Sequence, residues 1–434
     1  MRLFRRWTAV AVVACLGWLA LAAGAGGGVS SPSSCSRAVG RLGLIAFAAR
    51  GRVEVVDLAR CRVRVFQAPG ASVVRFSPDG RWLAYGRLTY GTPTQPFVVS
   101  LPGVPRRAPL GRGVLSWAWG PTGATLYGIT RSGSLVSATP RGRLRVVAAN
   151  VVTISDGYYG EPLALSPDGR FAAVDRSRCG SAMAGELDTV DVRTGAVSVA
   201  VRRPGHFFTL AGFSSDGRWL LFWDATMCSG SLAADGWPLE AVPASGGGSP
   251  VRVVRSMLLY DDYLSWCGSR LIAAVGPDRQ SNLDSQLVTV APPGLPARPI
   301  ERAGKLSWVS PSCAPGGRVL AAAAGPNSSD AMFGAEDRSI WVLSRDGRVL
   351  RRLAEPPTTD LSDEAPRFSH DGRWIMFVRS QLLAAGDSDS SRDTIELVRT
   401  SGAGGAIPII SFTSGDFSYY DHYEWPYEVA WHSG

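Results

Sequence analysis

One phrase recurs along the chain and constrains its fold more than any other feature. It reads Phe76-Ser-Pro-Asp-Gly-Arg-Trp-Leu-Ala-Tyr85 and returns as Leu165-Ser-Pro-Asp-Gly-Arg-Phe-Ala-Ala-Val174. It returns again as Phe213-Ser-Ser-Asp-Gly-Arg-Trp-Leu-Leu-Phe222 and Phe368-Ser-His-Asp-Gly-Arg-Trp-Ile-Met-Phe377. Weaker copies stand at Trp119–Gly123, Trp266–Arg270 and Cys313–Arg318, and the chain closes on Trp431-His-Ser-Gly434. In each copy an aromatic or apolar residue ends one strand. Asp-Gly supplies a tight turn, because glycine tolerates the positive φ such turns need. An apolar strand follows.

Two further strand-like runs follow each copy, for example Gln95–Leu101 with Arg106–Leu110, and Ser339–Ser344 with Arg348–Leu353. The turn glycines at 80, 123, 169 and 217 lie 43, 46 and 48 residues apart, and later spacings lengthen to 62. A four-stranded unit at this period is the blade of a β-propeller. The phrase resembles the WD40-like repeat of TolB-type propellers, over essentially residues 44–434. The resemblance implies a fold and not a function, since propellers of this kind serve many roles.

The two ends of the repeat region complement each other. Leu44–Ala48, Val53–Asp57 and Arg62–Phe66 read as the second to fourth strands of a blade without its first, and Glu428–Trp431 reads as a first strand with nothing after it. The expected fold is therefore all-β: a single closed propeller of eight four-stranded blades, completed by the C-terminal strand. Seven blades is the alternative, if the copy at Trp266 or the last segment is irregular. An uncompleted blade would leave a long strand edge unpaired.

Ahead of the propeller the sequence reads as an export signal. Met1–Trp7 carries three arginines, and Thr8–Ala25 is uncharged and mostly apolar. The run ends in Ala20-Leu-Ala22 and Ala23-Gly-Ala25, which offer small-x-small cleavage patterns. The expected organisation is a signal peptide or N-terminal anchor over 1–25, a short linker over 26–43 and the propeller over 44–434. Cleaved or not, the propeller is expected outside the cytoplasm: secreted, periplasmic or on the cell surface. Membrane contact is expected only through an uncleaved N-terminus.

Beyond Cys15 the chain has six cysteines, an even number that suits disulfides in an exported protein. The repeat frame pairs them. Cys179 and Cys228 fall in the second-to-third-strand loops of neighbouring blades, and Cys267 and Cys313 end neighbouring first strands. Cys35 and Cys61 remain to tie the N-terminal tail to the first blade.

The net charge of +9 rests on arginine, with Lys305 the single lysine. The arginines occur as short pairs and not as one run, so nucleic acid is not an expected partner. A serine-hydrolase elbow, a Walker loop and a His-Glu-x-x-His motif are all missing. His370 and His432 occupy matching turns, but two histidines make a poor metal site. Asp387–Asp393 lacks the glycine and closing glutamate of a calcium loop. No catalytic residue, metal or cofactor is assigned, and a monomer is expected.

Function is expected on one face. The turns after first and third strands are short and share a face. The loops between second and third strands are long: Arg176–Glu186, Ala225–Gly236, Gly325–Arg338 and Gln381–Asp393. On that long-loop face, acids and aromatics precede several inner strands. Asp156, Tyr158 and Glu161 enter one, Asp261, Asp262 and Tyr263 another, Glu364 a third, and Tyr423 and Glu424 the last. Gathered at one opening they would suit a cationic group, a basic peptide or a sugar. These residues lead to two expectations. The first is a non-catalytic binding or scaffold propeller of the cell envelope, recognising a protein, peptide or glycan. The alternative is a glycan lyase or hydrolase working in the propeller mouth.

Overall fold

In the computed structural model every full copy of the repeated phrase closes the same turn. Ser77, Ser166, Ser214 and Ser369 donate their hydroxyls to Oδ1 of Asp79, Asp168, Asp216 and Asp371 at 2.5–2.6 Å. The same carboxylate oxygen accepts the backbone N–H of the arginine two residues on. The serine oxygen in turn accepts the N–H of the aromatic that opens the next strand. Gly80, Gly169, Gly217 and Gly372 take φ of 66–70° between these contacts, a region where a side chain would be strained. The serine hydroxyl is the main reason each aspartate sits below the usual carboxylate pKa. Thus Ser-x-Asp-Gly-Arg is a complete hydrogen-bonding unit.

The structure describes residues 39–433, apart from 88–94, 102, 112, 153–161, 180–182, 230, 277–282, 293–296, 301–305, 328–336, 383–390, 415–424 and the side chains of Leu382, Ser414 and Pro426. The chain divides into two compact units, Met1–Ser30 and Ser31–Gly434, and all described residues belong to the second.

Eight four-stranded antiparallel sheets make an eight-bladed propeller. Blade 1 joins Val429–His432, Leu44–Ala49, Arg52–Asp57 and Arg62–Gln67. Blades 2 to 8 then follow in chain order, opening with first strands Val73–Phe76, Val114–Trp119, Leu163–Leu165, Phe207–Phe213, Leu264–Cys267, Leu306–Cys313 and Leu361–Phe368. First strands touch the first strands of neighbouring blades and so ring the centre. Fourth strands lie outermost, and Val349–Arg352 of blade 7 is exposed throughout.

Second strands show why the phrase ends in an unbroken apolar run. Leu220–Ala225, Leu271–Val275 and Leu320–Ala324 are buried at every position. Both faces of such a strand pack against a neighbouring blade, so the usual polar alternation is lost. The apolar clusters accordingly bridge adjacent blades. Phe208, Leu220 and Phe222 of blade 5 join Ala173 and Leu187 of blade 4, for instance. Each fully buried side chain of this size contributes about 1.5–3 kcal/mol.

The C-terminal strand completes blade 1 as expected, one residue later than the sequence indicates. Glu428 belongs to a helical turn, Trp425–Glu428, and the strand runs Val429–His432. Its partners are Phe47↔Val429, Ala46↔Ala430, Ile45↔Trp431 and Leu44↔His432. Trp431 Nε1 also donates to Leu42 O at 2.8 Å, and Arg367 of blade 8 donates to Val429 O at 2.9 Å.

Two disulfides link neighbouring blades. Cys179–Cys228 ties the long loops of blades 4 and 5, and Cys267–Cys313 ties the first strands of blades 6 and 7 at Cα separations of 5.8 and 5.4 Å. The second pair reaches because Ser265 Oγ accepts the Cys313 N–H at 3.0 Å, holding the strands together at that end. Cys61 is disulfide-bonded. Cys35 lies outside the described residues.

Candidate functional site

Antiparallel strands place the segments that enter first strands on the long-loop face. Two of them meet across the central opening. Asp261–Tyr263 forms a single 3-10 turn before blade 6, and Trp425–Glu428 forms the helical turn before the first strand of blade 1. Tyr427 Oη donates to Asp261 Oδ2 at 2.6 Å, although blades 7 and 8 stand between them. On the blade 2 side, the Arg75 guanidinium lies 5.5 Å from the centre of the Tyr427 ring. A row of guanidinium, phenol and carboxylate therefore spans the mouth.

The neighbours of this row are also charged. Asp262 accepts the Ser310 hydroxyl from blade 7 at 2.5 Å. Arg338 is buried and donates to both oxygens of buried Glu364 at 3.1 Å, while Ser362 donates to Glu364 at 2.5 Å. Burial pushes the Glu364 carboxyl upward and Arg338 opposes it. Beside it Asp363 pairs with Arg379 at 2.6 and 2.8 Å, and Arg379 also reaches Glu396 at 3.1 Å. Desolvation raises Asp363 to about 6 and Glu396 to about 7. The surrounding protein also presses Arg367 down to about 10, which leaves it charged at neutral pH.

Two inner strands are bulged next to this cluster. The register shifts between Val309 and Ser312 in blade 7, and between Glu364 and Arg367 in blade 8. Within the bulges Ser310 and Ala365 take φ of 49° and 50°. Left-handed backbone at non-glycine residues is strained, and such bulges gather where a strand must re-aim its side chains. Blade 5 makes the same kind of bulge with Gly212, which carries no such strain.

The sequence-derived residues therefore divide. Asp261 is exposed at the mouth and Asp262 half-buried beside it. Tyr263 is buried at 2% exposure, and Glu364 lies within the ion-paired interior at 3%. Asp156, Tyr158, Glu161, Tyr423 and Glu424 lie outside the described residues. Tyr427, Arg75, Ser310 and Arg338 were not singled out by the sequence. Nothing local to Tyr427 points to a partner in blade 6.

On the opposite face, a cleft of about 420 Å³ opens between blades 4 and 5, lined by Arg170, Phe171, Arg218 and Trp219 among others. His370 and His432 also lie on that face, where the His370 N–H donates to Ser433 Oγ and His432 sits 5.9 Å from the Phe76 ring. Burial, more than the neighbouring His370, lowers the His432 pKa. Among the described residues no three metal-ligating side chains come together. No described helix is long and apolar enough to cross a membrane.

No protein-family model matches the chain, and no curated protein matches its sequence. Solved structures match by shape. A prolyl endopeptidase aligns with TM-score 0.51 and 12% identity, over 80% of this chain and 50% of its own. The chain thus spans about half the length of that enzyme. An oligogalacturonate lyase in complex with manganese aligns with TM-score 0.47 and 15% identity, over 83% of this chain and 98% of its own. TolB from Acinetobacter baumannii aligns with TM-score 0.37 and 14% identity, over 89% of this chain and 81% of its own. Identities this low speak to fold alone, and the eight-bladed propeller itself rests on the strand pairing.

Proposed function

We propose that this protein is an exported, non-catalytic binding propeller that recognises a protein, peptide or glycan of the cell envelope at its long-loop mouth. The observation carrying the reading is the row Arg75–Tyr427–Asp261, laid across the opening from blade 2 to blade 6. An exposed carboxylate beside an aromatic ring suits a cationic side chain or a sugar hydroxyl. Strain held at Ser310 and Ala365 supports a constrained, preorganised mouth. The Cys179–Cys228 and Cys267–Cys313 bonds support an oxidising, extracytoplasmic setting.

The test is a binding screen of envelope extracts and glycan arrays with wild type and an Asp261→Asn, Tyr427→Phe double variant. Both changes conserve shape, and loss of the bond between them costs only about 1 kcal/mol of stability. The expected result is an interaction at least tenfold weaker in a variant that melts nearly as wild type does. An identical interaction profile would remove the mouth from the account. Turnover of a glycan by the wild type would replace binding with catalysis.

A further inference from the structure

The arginines are spread along the whole chain, but the carboxylates are not. Between Asp79 and Asp156 the sequence holds no aspartate or glutamate and nine arginines. This stretch builds nearly all of blade 2 and all of blade 3. Elsewhere the short-turn arginines are offset locally. Arg218 pairs with Asp216 at 2.8 Å, and Arg60 pairs with Asp57 at the same distance. Within blades 2 and 3 the one acid is Asp79, in the first turn of blade 2 beside Arg81, so the net positive charge collects on one sector of the ring.

Within that sector the outer rim of the short-turn face is distinctive. Arg106 and Arg107 form the fourth strand of blade 2, and Arg141, Arg143 and Arg145 line the last turn and strand of blade 3. All five are exposed. Large apolar side chains stand exposed among them: Val104 at 82%, Val146 at 57% and Leu144 at 45%. Trp82 is held between two of the arginines, with Arg106 at 5.1 Å and Arg141 at 5.5 Å from its ring. The rim continues into blade 4, where Arg145 Nη2 donates to Val192 O at 2.8 Å and Val197 and Val199 are exposed as well. The chain also enters the propeller on this face, because Leu44 begins a second strand.

We infer that this rim docks on an anionic phospholipid bilayer. A soluble polyanion needs positive charge but not exposed valine and leucine. A neutral protein partner needs the apolar residues but not five unopposed guanidiniums. A bilayer surface uses both, with phosphates for the arginines and the acyl boundary for the short apolar side chains. Arginine and tryptophan, the residues stacked here, are suited to that boundary. The surface is separate from the mouth, which lies at the other end of the strands, so a docked propeller would turn its long-loop face away from the membrane.

The test measures partition of the full chain onto vesicles of phosphatidylcholine alone and of phosphatidylcholine with one-third phosphatidylglycerol. The neutral vesicles report what the apolar N-terminal run contributes by itself, so the readout is the ratio of the two partition coefficients. Arg107→Gln with Arg143→Gln should lower that ratio roughly 30-fold, taking the usual attraction of an anionic surface for each arginine. Val104→Ser with Leu144→Ser should weaken binding to the anionic vesicles at high salt, where Coulomb attraction is screened. The control pair Arg218→Gln with Arg345→Gln removes equal charge from the same face in other blades and should leave the ratio within a factor of a few. A ratio near one for wild type would overturn the inference, as would an equal fall in the control pair. Double-stranded DNA that is bound without any preference for anionic vesicles would overturn it too, and would assign the rim to a soluble polyanion.

Discussion

Asp175 ends the second strand of blade 4 at 2% exposure, and its carboxylate accepts the Ser177 N–H at 2.8 Å. Burial raises its pKa from 3.8 to about 7. Between those values the native state holds a proton that the unfolded chain has released. Stability from this group is therefore complete below about pH 4 and is lost as pH climbs through about 7, at up to about 1.4 kcal/mol per pH unit. Denaturant melts of wild type and Asp175→Asn across pH 4–8 should give a difference that changes steadily through this window. A constant difference would show that the carboxylate titrates normally. The sequence could not reveal such a shift, because it depends on how tightly blade 5 packs over blade 4. The mouth residues teach the same lesson. Asp261 was legible as an acid entering an inner strand, yet its Tyr427 partner lies 166 residues away. Glu364 was legible as an acid in the same kind of place, but its strand is bulged, and it turns inward to Arg338.

At the scale of elements the sequence was most readable, because the turn unit is local. Ser-x-Asp-Gly-Arg and the aromatic after it satisfy their hydrogen bonds within six residues, so each copy predicts its hairpin whatever surrounds it. The bulges at Ser310 and Ala365 had no such signature, since neither residue favours a left-handed backbone. The closing strand was legible only as a missing piece. Its contribution can be measured by deleting residues 428–434. The inner strand of blade 1 then disappears, the edge of Leu44–Ala49 is left unpaired, and Val429 leaves a cluster shared by blades 1 and 8. The expected outcome is a single cooperative transition several kcal/mol less stable than wild type, seen in circular dichroism and calorimetry. Unchanged melting with local fraying would mean that blade 1 does not close the ring.

For the whole molecule, strand direction sorts the chemistry onto two faces. Short turns, Arg81, Arg170, Arg218 and Arg373, and the basic rim of blades 2 and 3 lie at one end of the strands. Entry segments, long loops and the Tyr427–Asp261 bar lie at the other. The blade count and the face assignment followed from the repeat. The charge asymmetry between sectors emerges only when the rim residues are seen together. If the mouth is the binding surface, partners are met on the long-loop face. Photo-crosslinking reads this out, with a photoreactive amino acid placed at exposed Met227 or Thr359 on that face and at exposed Thr122 in a short turn. Irradiation in intact cell envelopes should give one discrete adduct from Met227 or Thr359, lost when Asp261→Asn and Tyr427→Phe are added, and no protein adduct from Thr122. The same protein adduct from Thr122, unaffected by the mouth substitutions, would contradict the account.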